Sequence, residues 1–176
     1  EIAKRYGADV PFLRPKEISG DHSTDFEFMK HTVDWLKTER NTTPHLIVHL
    51  RPTYPNRKIK DIDEAIKKFR HNTVFNNKPY TSLRSVVEAE YPAYKMYKKE
   101  GKQELKPLFE RVNGIEEPYN NARQLLPKCY WHNGCIDITT PECLENGSVS
   151  GNKILMYEME KNEINDIDTI EEWDRS

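Results

Sequence analysis

The chain has 176 residues, of which 36% are hydrophobic and 32% charged, and its formal net charge at pH 7 is −2. This length and composition predict one globular domain, which we assign to residues 1–176, and the interspersed charges of both signs argue against a nucleic-acid partner. No apolar run approaches the roughly 20 residues of a membrane span, and no signal-peptide pattern is present, so we expect a cytoplasmic protein without a membrane partner.

The first quarter of the chain predicts two helical segments and a strand. Residues 1–7 are typical of the end of a helix stopped by glycine, so we expect that sequence upstream of residue 1 is missing. Good N-cap residues at 23–25 precede an amphipathic segment that predicts a helix over 26–40. The apolar, β-branched run 45–50 predicts a buried central strand of a parallel sheet.

The next elements continue an α/β pattern. Helical spacing of apolar residues predicts a helix over 61–70, and the run 82–88 predicts a second strand. Strand, loop, helix and strand in this order predict an open α/β sheet with mainly parallel strands. Alternating residues within 93–108 indicate a strand of an excursion, which we interpret as a dimerisation arm spanning about 90–120.

Four further elements complete the prediction. They are a strand over 130–139, a short helix over 141–145, a last strand over 153–159 and a closing helix that begins at 168 and runs to 175. The sequence shows no repeats, low-complexity tract or linker.

The loop that follows the first strand contains candidate anion-binding groups. Ligands of open α/β sheets bind at the carboxyl ends of the strands, where Arg51, Thr53 and Arg57 are placed by the prediction. Guanidinium groups bind phosphate or carboxylate oxygens in a planar, bidentate way. Taken alone, the same loop is also explained as an ordinary surface turn.

For other polar residues the sequence allows both a functional and an ordinary structural interpretation. Asp166 and Asp168, two apart in an extended segment, can hold one Mg²⁺, or one of them can simply cap the closing helix. Arg123 can bind an anion or be a surface arginine, and Asn133 with Gly134 marks either close approach of a ligand or a β-turn.

The histidines and cysteines give no metal motif. Their spacing matches no common zinc site, and we interpret them as surface or core residues of a protein in a reducing compartment. These residues are His22, His31, His45, His49, His71, His132, Cys129, Cys135 and Cys143.

The motifs occur in an order that resembles one family. The stretches 2–15, 20–24, 50–57, 123–127, 133–138, 166–169 and 172–173 resemble the acylneuraminate cytidylyltransferases, also called CMP-sialic acid synthetases. The resemblance covers nearly the whole chain. It implies an α/β fold of the nucleotide-diphospho-sugar transferase type, a Rossmann-like three-layer sandwich that here lacks its first strands, and a homodimer formed through an inserted arm.

The resemblance also implies a reaction and its residues. The anomeric hydroxyl of a nonulosonic acid attacks the α-phosphate of CTP and releases pyrophosphate, with Mg²⁺ as cofactor, in the synthesis of cell-surface glycans. Roles carried over from the matching motifs are nucleotide binding for Arg14, Ser23, Arg51 and Thr53, substrate binding for Arg51, Arg123 and Asn133, catalysis for Arg123 and Asp168, and metal binding for Asp166 and Asp168.

Three departures from the family pattern keep alternatives open. The glycine-rich, lysine-bearing loop that wraps the triphosphate is absent from these residues, Arg51 replaces a usual glutamine, and Trp131 replaces an arginine found in several bacterial members. Sialic, legionaminic, pseudaminic or another related acid therefore remains open as the sugar. Alternatives for the chain are a cytidylyltransferase of another acidic sugar, such as 3-deoxy-octulosonic acid, and a non-catalytic homologue that binds nucleotide sugars or dimerises.

Overall fold

The computed structural model describes residues 1–74, 79–160, 167 and 169–174, and all statements about structure below concern these residues. The helices are α1 (Ile2–Arg5), α2 (Asp25–Arg40), α3 (Ile59–Val74), α4 (Pro141–Glu145) and α5 (Ile170–Trp173). The strands are β1 (Ile47–His49), β2 (Ser82–Glu88), β3 (Tyr97–Glu100), β4 (Glu104–Pro107), β5 (Arg111–Val112), β6 (Ile115–Glu116), β7 (Tyr130–Thr139) and β8 (Ile154–Glu158).

The helix α2 begins one residue before the predicted start and ends at the predicted residue. Thr24 is the N-cap, and the Glu27 carboxylate accepts a hydrogen bond of 2.6 Å from the Thr24 backbone N–H, which completes a capping box. Asn41 adopts the left-handed conformation, with φ of 47°, and terminates the helix. Met29 and Val33, one turn apart, are buried on the face that packs against the rest of the protein.

A four-stranded mixed sheet forms the centre of the fold, in the order β1-β7-β2-β8. β7 pairs antiparallel with β1 and with β2, and β2 pairs parallel with β8. The α/β class is confirmed, but the expected mainly parallel pairing is not seen in the described strands, where β7 separates β1 from β2. β1, β2 and β8 nevertheless all point in the same direction.

The position of β1 also differs from the sequence prediction. The run 45–50 was expected to form a buried central strand, whereas the strand covers only Ile47–His49, is half-buried, and lies at one end of the described sheet. An apolar run gives the tendency to form a strand, but it carries no information about which partner pairs with it.

Helices cover both faces of the sheet. On one face α3 buries Ala65 and Phe69 against the apolar side chains of β2, β7 and β8. On the other face Met29 and Val33 of α2 pack with Leu144 of α4. Ile47 belongs to the α2 side and Val48 to the α3 side, as the two-residue alternation of a strand requires.

Residues between β2 and β7 form the predicted excursion as two short hairpins. β3 pairs antiparallel with β4, and β5 with β6. Several of the apolar side chains there are exposed, namely Met96, Tyr97, Leu105, Leu108 and Phe109. None of the described helices is long and apolar enough to cross a membrane.

Candidate functional site

The polar side chains of the candidate site lie near the edge of the sheet where the loop 51–57 follows β1. Because β7 runs against β1, β2 and β8, the carboxyl ends of β2 and β8 lie beside the beginning of β7, and β1 ends at His49 opposite Asp137. The loop 51–57 leaves β1 here. This is the edge at which open α/β sheets bind ligands, so the loop lies where the sequence places it.

Asp137 is the centre of an ionic cluster beside the carboxyl end of β1. Its side chain is 3% exposed, and it contacts the guanidinium of Arg51 through Oδ2. Arg84 Nη1 lies 2.6 Å from the same oxygen, and His132 Nε2 lies 2.7 Å from Oδ1. Burial alone would raise the pKa of Asp137, but the hydrogen bond from His132 and the charge of Arg84 hold that pKa well below its usual range.

The sheet register brings the cluster together. Arg84 on β2 and His49 on β1 are both the direct cross-strand partners of Asp137 on β7, so the three side chains share one face. Arg84 also donates a hydrogen bond of 2.8 Å from Nη2 to the hydroxyl of Ser150. The buried carboxylate therefore lies among cations supplied by its neighbours.

Arg51 connects Asp137 to the beginning of α2. Its guanidinium contacts Asp137 through Nη1 and Asp25 through Nη2. Burial alone would lower the pKa of Arg51, but the two carboxylates outweigh it and raise that pKa. The group is 25% exposed and stays charged, so a ligand at this edge would meet a fixed cation.

His49 lies beneath this bridge on the α2 side. Its Nδ1 is 3.9 Å from Asp25 Oδ2, and its ring meets the edge of Phe28 at 5.2 Å between centroids. Burial lowers the pKa of His49, which favours the neutral ring. The predicted nucleotide-binding residue Arg14 covers the same Phe28 ring, at 4.6 Å from its centroid, so Arg14 lies close to the cluster.

A bulge in β7 brings His132 to Asp137. Arg84 pairs with Asp137 but Val86 pairs with His132, so residues 133–136 of β7 face Ser85 alone. The Ser85 hydroxyl donates a hydrogen bond of 2.6 Å to Asn133 Oδ1 and accepts one of 2.8 Å from the Ile136 N–H. Asn133, predicted to bind substrate, is buried and holds this bulge; its substrate contact stays a prediction.

The loop 51–57 is fixed to the sheet by Arg57. Arg57 Nε donates a hydrogen bond of 2.8 Å to the Cys135 carbonyl, and Nη2 donates one of 2.5 Å to the Arg51 carbonyl. The Arg57 side chain therefore supports the backbone of the loop from within the protein. The anion-binding role of Arg51 and Thr53 in this loop stays a prediction.

The loop is also attached to the segment that contains the predicted metal ligands. The N–H of Ile167 donates a hydrogen bond of 2.8 Å to the Thr53 carbonyl. Asp166 and Asp168 themselves lie outside the described residues. In the described part of the chain, no group of three or more histidine, cysteine, aspartate or glutamate side chains is arranged to hold a metal ion.

Two predicted residues lie apart from the cluster contacts. Arg123 Nη1 donates a hydrogen bond of 2.9 Å to the carbonyl of Glu90, just beyond the end of β2, and lines a pocket of about 270 Å³ together with Lys128. Ser23 accepts a hydrogen bond of 3.0 Å from the Gly20 N–H. Both side chains stay candidates for ligand binding.

The sequence interpretation missed four members of the cluster. Arg84 and Asp137 received no role, Asp25 was considered only as a helix N-cap, and His132 was interpreted as an ordinary surface or core residue. A signal for Asp137 was present, since a single carboxylate interrupts the apolar run Cys135–Ile138 and a buried charge requires a partner. The partner could not be identified from the sequence, because Arg84 lies 53 positions earlier in the printed sequence.

Comparison with known proteins agrees with the motif resemblance. The chain is 26% identical over 174 residues to the pseudaminic acid cytidylyltransferase of Campylobacter jejuni serotype O:2, covering 98% of this chain and 69% of the relative. It is 28% identical over 170 residues to the N-acylneuraminate cytidylyltransferase of Escherichia coli O18:K1:H7, covering 95% of this chain and 36% of the relative. The chain is a homologue of the nonulosonic acid cytidylyltransferases.

This relationship fits the described α/β fold, although no protein-family model matches the chain. A second pseudaminic acid cytidylyltransferase, from Campylobacter jejuni serotype O:23/36, is 25% identical over 174 residues, which cover 98% of this chain and 69% of that relative. The relatives support a cytidylyltransferase role for this homologue. Their names include two different acids, so the comparison leaves the sugar open.

Proposed function

We propose that the protein transfers CMP from CTP to the anomeric hydroxyl of a sialic-acid-like nonulosonic acid and releases pyrophosphate. The observation that carries this proposal is the similarity along 95–98% of the chain to enzymes named for this class of reaction. The proposal includes a cytoplasmic location and a role in making cell-surface glycans.

The ionic cluster supports the proposal through the position of its Arg51 guanidinium. Both substrates are anions, and the guanidinium of Arg51 is held at the carboxyl edge of the sheet by two carboxylates. Arg14 and Thr53 lie at the same edge, next to Phe28 and Ile167 respectively. In our proposal these side chains orient the nucleotide and the acid, and orientation supplies much of the catalysis of phosphoryl transfer.

The proposed reaction includes a metal ion. Asp166 and Asp168 would hold Mg²⁺, which carboxylates bind well, and the ion would neutralise charge on the phosphates of CTP. The chemical fit of the two side chains is supported by the hydrogen bond between Ile167 and Thr53, which attaches the residue between them to the proposed nucleotide loop. Arg123 would contribute a further positive charge to the acidic substrates.

The decisive experiment is a pyrophosphate-release assay on the full-length protein. CTP is supplied with sialic, legionaminic or pseudaminic acid, or with 3-deoxy-octulosonic acid, and ATP replaces CTP as the control. Turnover that requires CTP and one nonulosonic acid supports the proposal. Turnover with 3-deoxy-octulosonic acid alone favours the other acidic sugar, and binding of CMP-sugar without any turnover favours the non-catalytic alternative.

We further propose that the two hairpins β3–β4 and β5–β6 form a dimerisation arm. The support is the set of apolar side chains that they expose, including Leu105 at 69%. Light scattering after size exclusion should show a dimer for the full-length protein. Leu105→Lys combined with Leu108→Lys should give a monomer with an unchanged circular dichroism spectrum, and a dimer that survives both changes would refute the assignment.

A further inference from the structure

His132 is the partly exposed residue that contacts Asp137 Oδ1. Its side chain is 40% exposed, whereas that of Asp137 is 3% exposed. The ring contacts the carboxylate through Nε2, at 2.7 Å from Oδ1. Because an ionised carboxylate only accepts hydrogen bonds, Nε2 carries the proton in this contact, and in the neutral ring the lone pair lies on Nδ1.

The second ring nitrogen is available at the edge of the sheet. In the part of the chain that the structure describes, Nδ1 of His132 has no hydrogen-bond partner. A buried carboxylate that fixes one nitrogen of an imidazole and leaves the other without a partner is the arrangement that makes a histidine an oriented proton acceptor.

The same carboxylate also holds Arg51. Arg51 contacts Oδ2 of Asp137 and His132 contacts Oδ1, so an anion-binding group and a proton acceptor are fixed to one residue. The proposed reaction needs both functions in one place, because the acidic sugar must be held while its hydroxyl loses a proton. His49 is a poorer candidate, since its side chain is only 13% exposed.

We propose that His132 is the general base of the reaction and that Asp137 is its positioning residue. This inference rests on the proposed function. Nδ1 of His132 accepts the proton of the anomeric hydroxyl as the sugar oxygen forms a bond to the α-phosphorus of CTP. The bond from that phosphorus to the oxygen shared with the β-phosphate breaks, and its electron pair leaves with pyrophosphate.

The surrounding charges suit an imidazole that must become an imidazolium. The groups around it are Asp137 on its own strand, Arg84 from β2, His49 from β1, Arg51 from the following loop and Asp25 from α2. The charges of the two arginines and the two aspartates cancel. The proton that arrives on His132 therefore meets a neutral cluster in which the Asp137 carboxylate contacts the ring directly. That contact stabilises the charged ring, as a triad carboxylate does.

The test is the turnover of His132→Gln in the full-length protein, with CTP and the preferred acid at saturation. We expect kcat to fall by about 10²–10⁴-fold, the contribution typical of general base catalysis. The circular dichroism spectrum should stay unchanged, because the His132 side chain is partly exposed. The KM for CTP should also stay unchanged, because His132 is not assigned a contact with the nucleotide. His45→Gln, a change at an exposed histidine before β1, is the matched control and should keep wild-type kcat.

Two further readouts separate a base from a structural residue. Wild-type kcat should fall at acidic pH, and His132→Gln should lose this dependence. Added imidazole should restore part of the kcat of His132→Ala. A His132→Gln kcat within threefold of wild type at every pH, or a loss that imidazole and pH leave unaltered, overturns the assignment. Absence of pyrophosphate release from the wild type would instead refute the proposed function, and this inference with it.

Discussion

Replacing Asp137 with asparagine should destabilise the protein strongly. The substitution keeps the shape of the side chain but removes the charge that three neighbours share. Arg51 would still contact Asp25, whereas Arg84 would lose its carboxylate partner and keep its hydrogen bond to the Ser150 hydroxyl. The variant therefore leaves one guanidinium, 16% exposed, without a counter-ion.

The size of the effect follows from this geometry. Removing one partner of a buried ion pair costs about 3–5 kcal/mol of unfolding free energy. Arg84 keeps some exposure and one hydrogen bond, so we expect a value near the lower limit, about 3 kcal/mol. For a domain of this size that loss lowers the melting temperature by roughly 6–12 °C.

Urea unfolding followed by circular dichroism measures the difference directly. Asp34→Asn is the matched control, because the half-exposed Asp34–Lys30 pair on α2 should contribute no more than about 0.5 kcal/mol. Adding Arg84→Gln to Asp137→Asn should recover stability, since it removes the unpaired charge. A loss for Asp137→Asn no larger than that for Asp34→Asn would refute the reasoning.

The stabilisation that Asp137→Asn removes should depend on pH. The pKa of Asp137 is depressed in the folded protein, so its contribution is present above the unfolded pKa of about 3.9 and is lost as the pH falls below that value. The stability difference between wild type and Asp137→Asn should therefore shrink as the pH falls from about 4 towards 3. A difference that stays the same over this range would contradict the assigned cause.

The remaining predictions concern the proposed metal site, the pocket arginine and a turn. Asp168→Ala should abolish most CMP-sugar formation and keep the fold. If this variant turned over at the wild-type rate at limiting Mg²⁺, the metal role of Asp168 would be excluded. Arg123→Ala should lower kcat/KM more than stability, whereas unchanged kinetics would make it a surface arginine. Gly151→Ala places Cβ 2.5 Å from Thr81 Oγ1. In urea unfolding it should lower the free energy of unfolding by at least about 1 kcal/mol more than Gly147→Ala, a position that also has positive φ but lies in open space. Equal losses of unfolding free energy in the two variants would contradict the clash.

Local sequence signals predicted most elements. The strands Ser82–Glu88 and Tyr130–Thr139 and the helix Pro141–Glu145 have the predicted bounds, and the helix Asp25–Arg40 begins one residue early. These elements carry their own evidence, as helical periodicity, N-caps or β-branched runs. Pairing carries no such evidence, which is why the place of β7 between β1 and β2 was not predicted.

The candidate site was predicted only where a motif marked it. The loop with Arg51 and Thr53 was predicted to lie at the carboxyl edge, and it does. The ionic cluster was not predicted, because its members are far apart in the chain and meet through the register of β1, β2 and β7 and through the bulge at 133–136. The Ser85 hydroxyl makes two hydrogen bonds to the residues of this bulge. In the sequence, Ser85 has no feature that distinguishes it from an ordinary strand residue.

The double contact of Arg51 has a thermodynamic consequence for any ligand that reaches it. A free arginine side chain loses about 2 kcal/mol of rotational entropy when it is immobilised. Asp25 and Asp137 have already restricted this side chain in the folded protein, so that loss belongs to folding and not to association. A phosphate or carboxylate arriving at Arg51 would thus meet a preorganised partner.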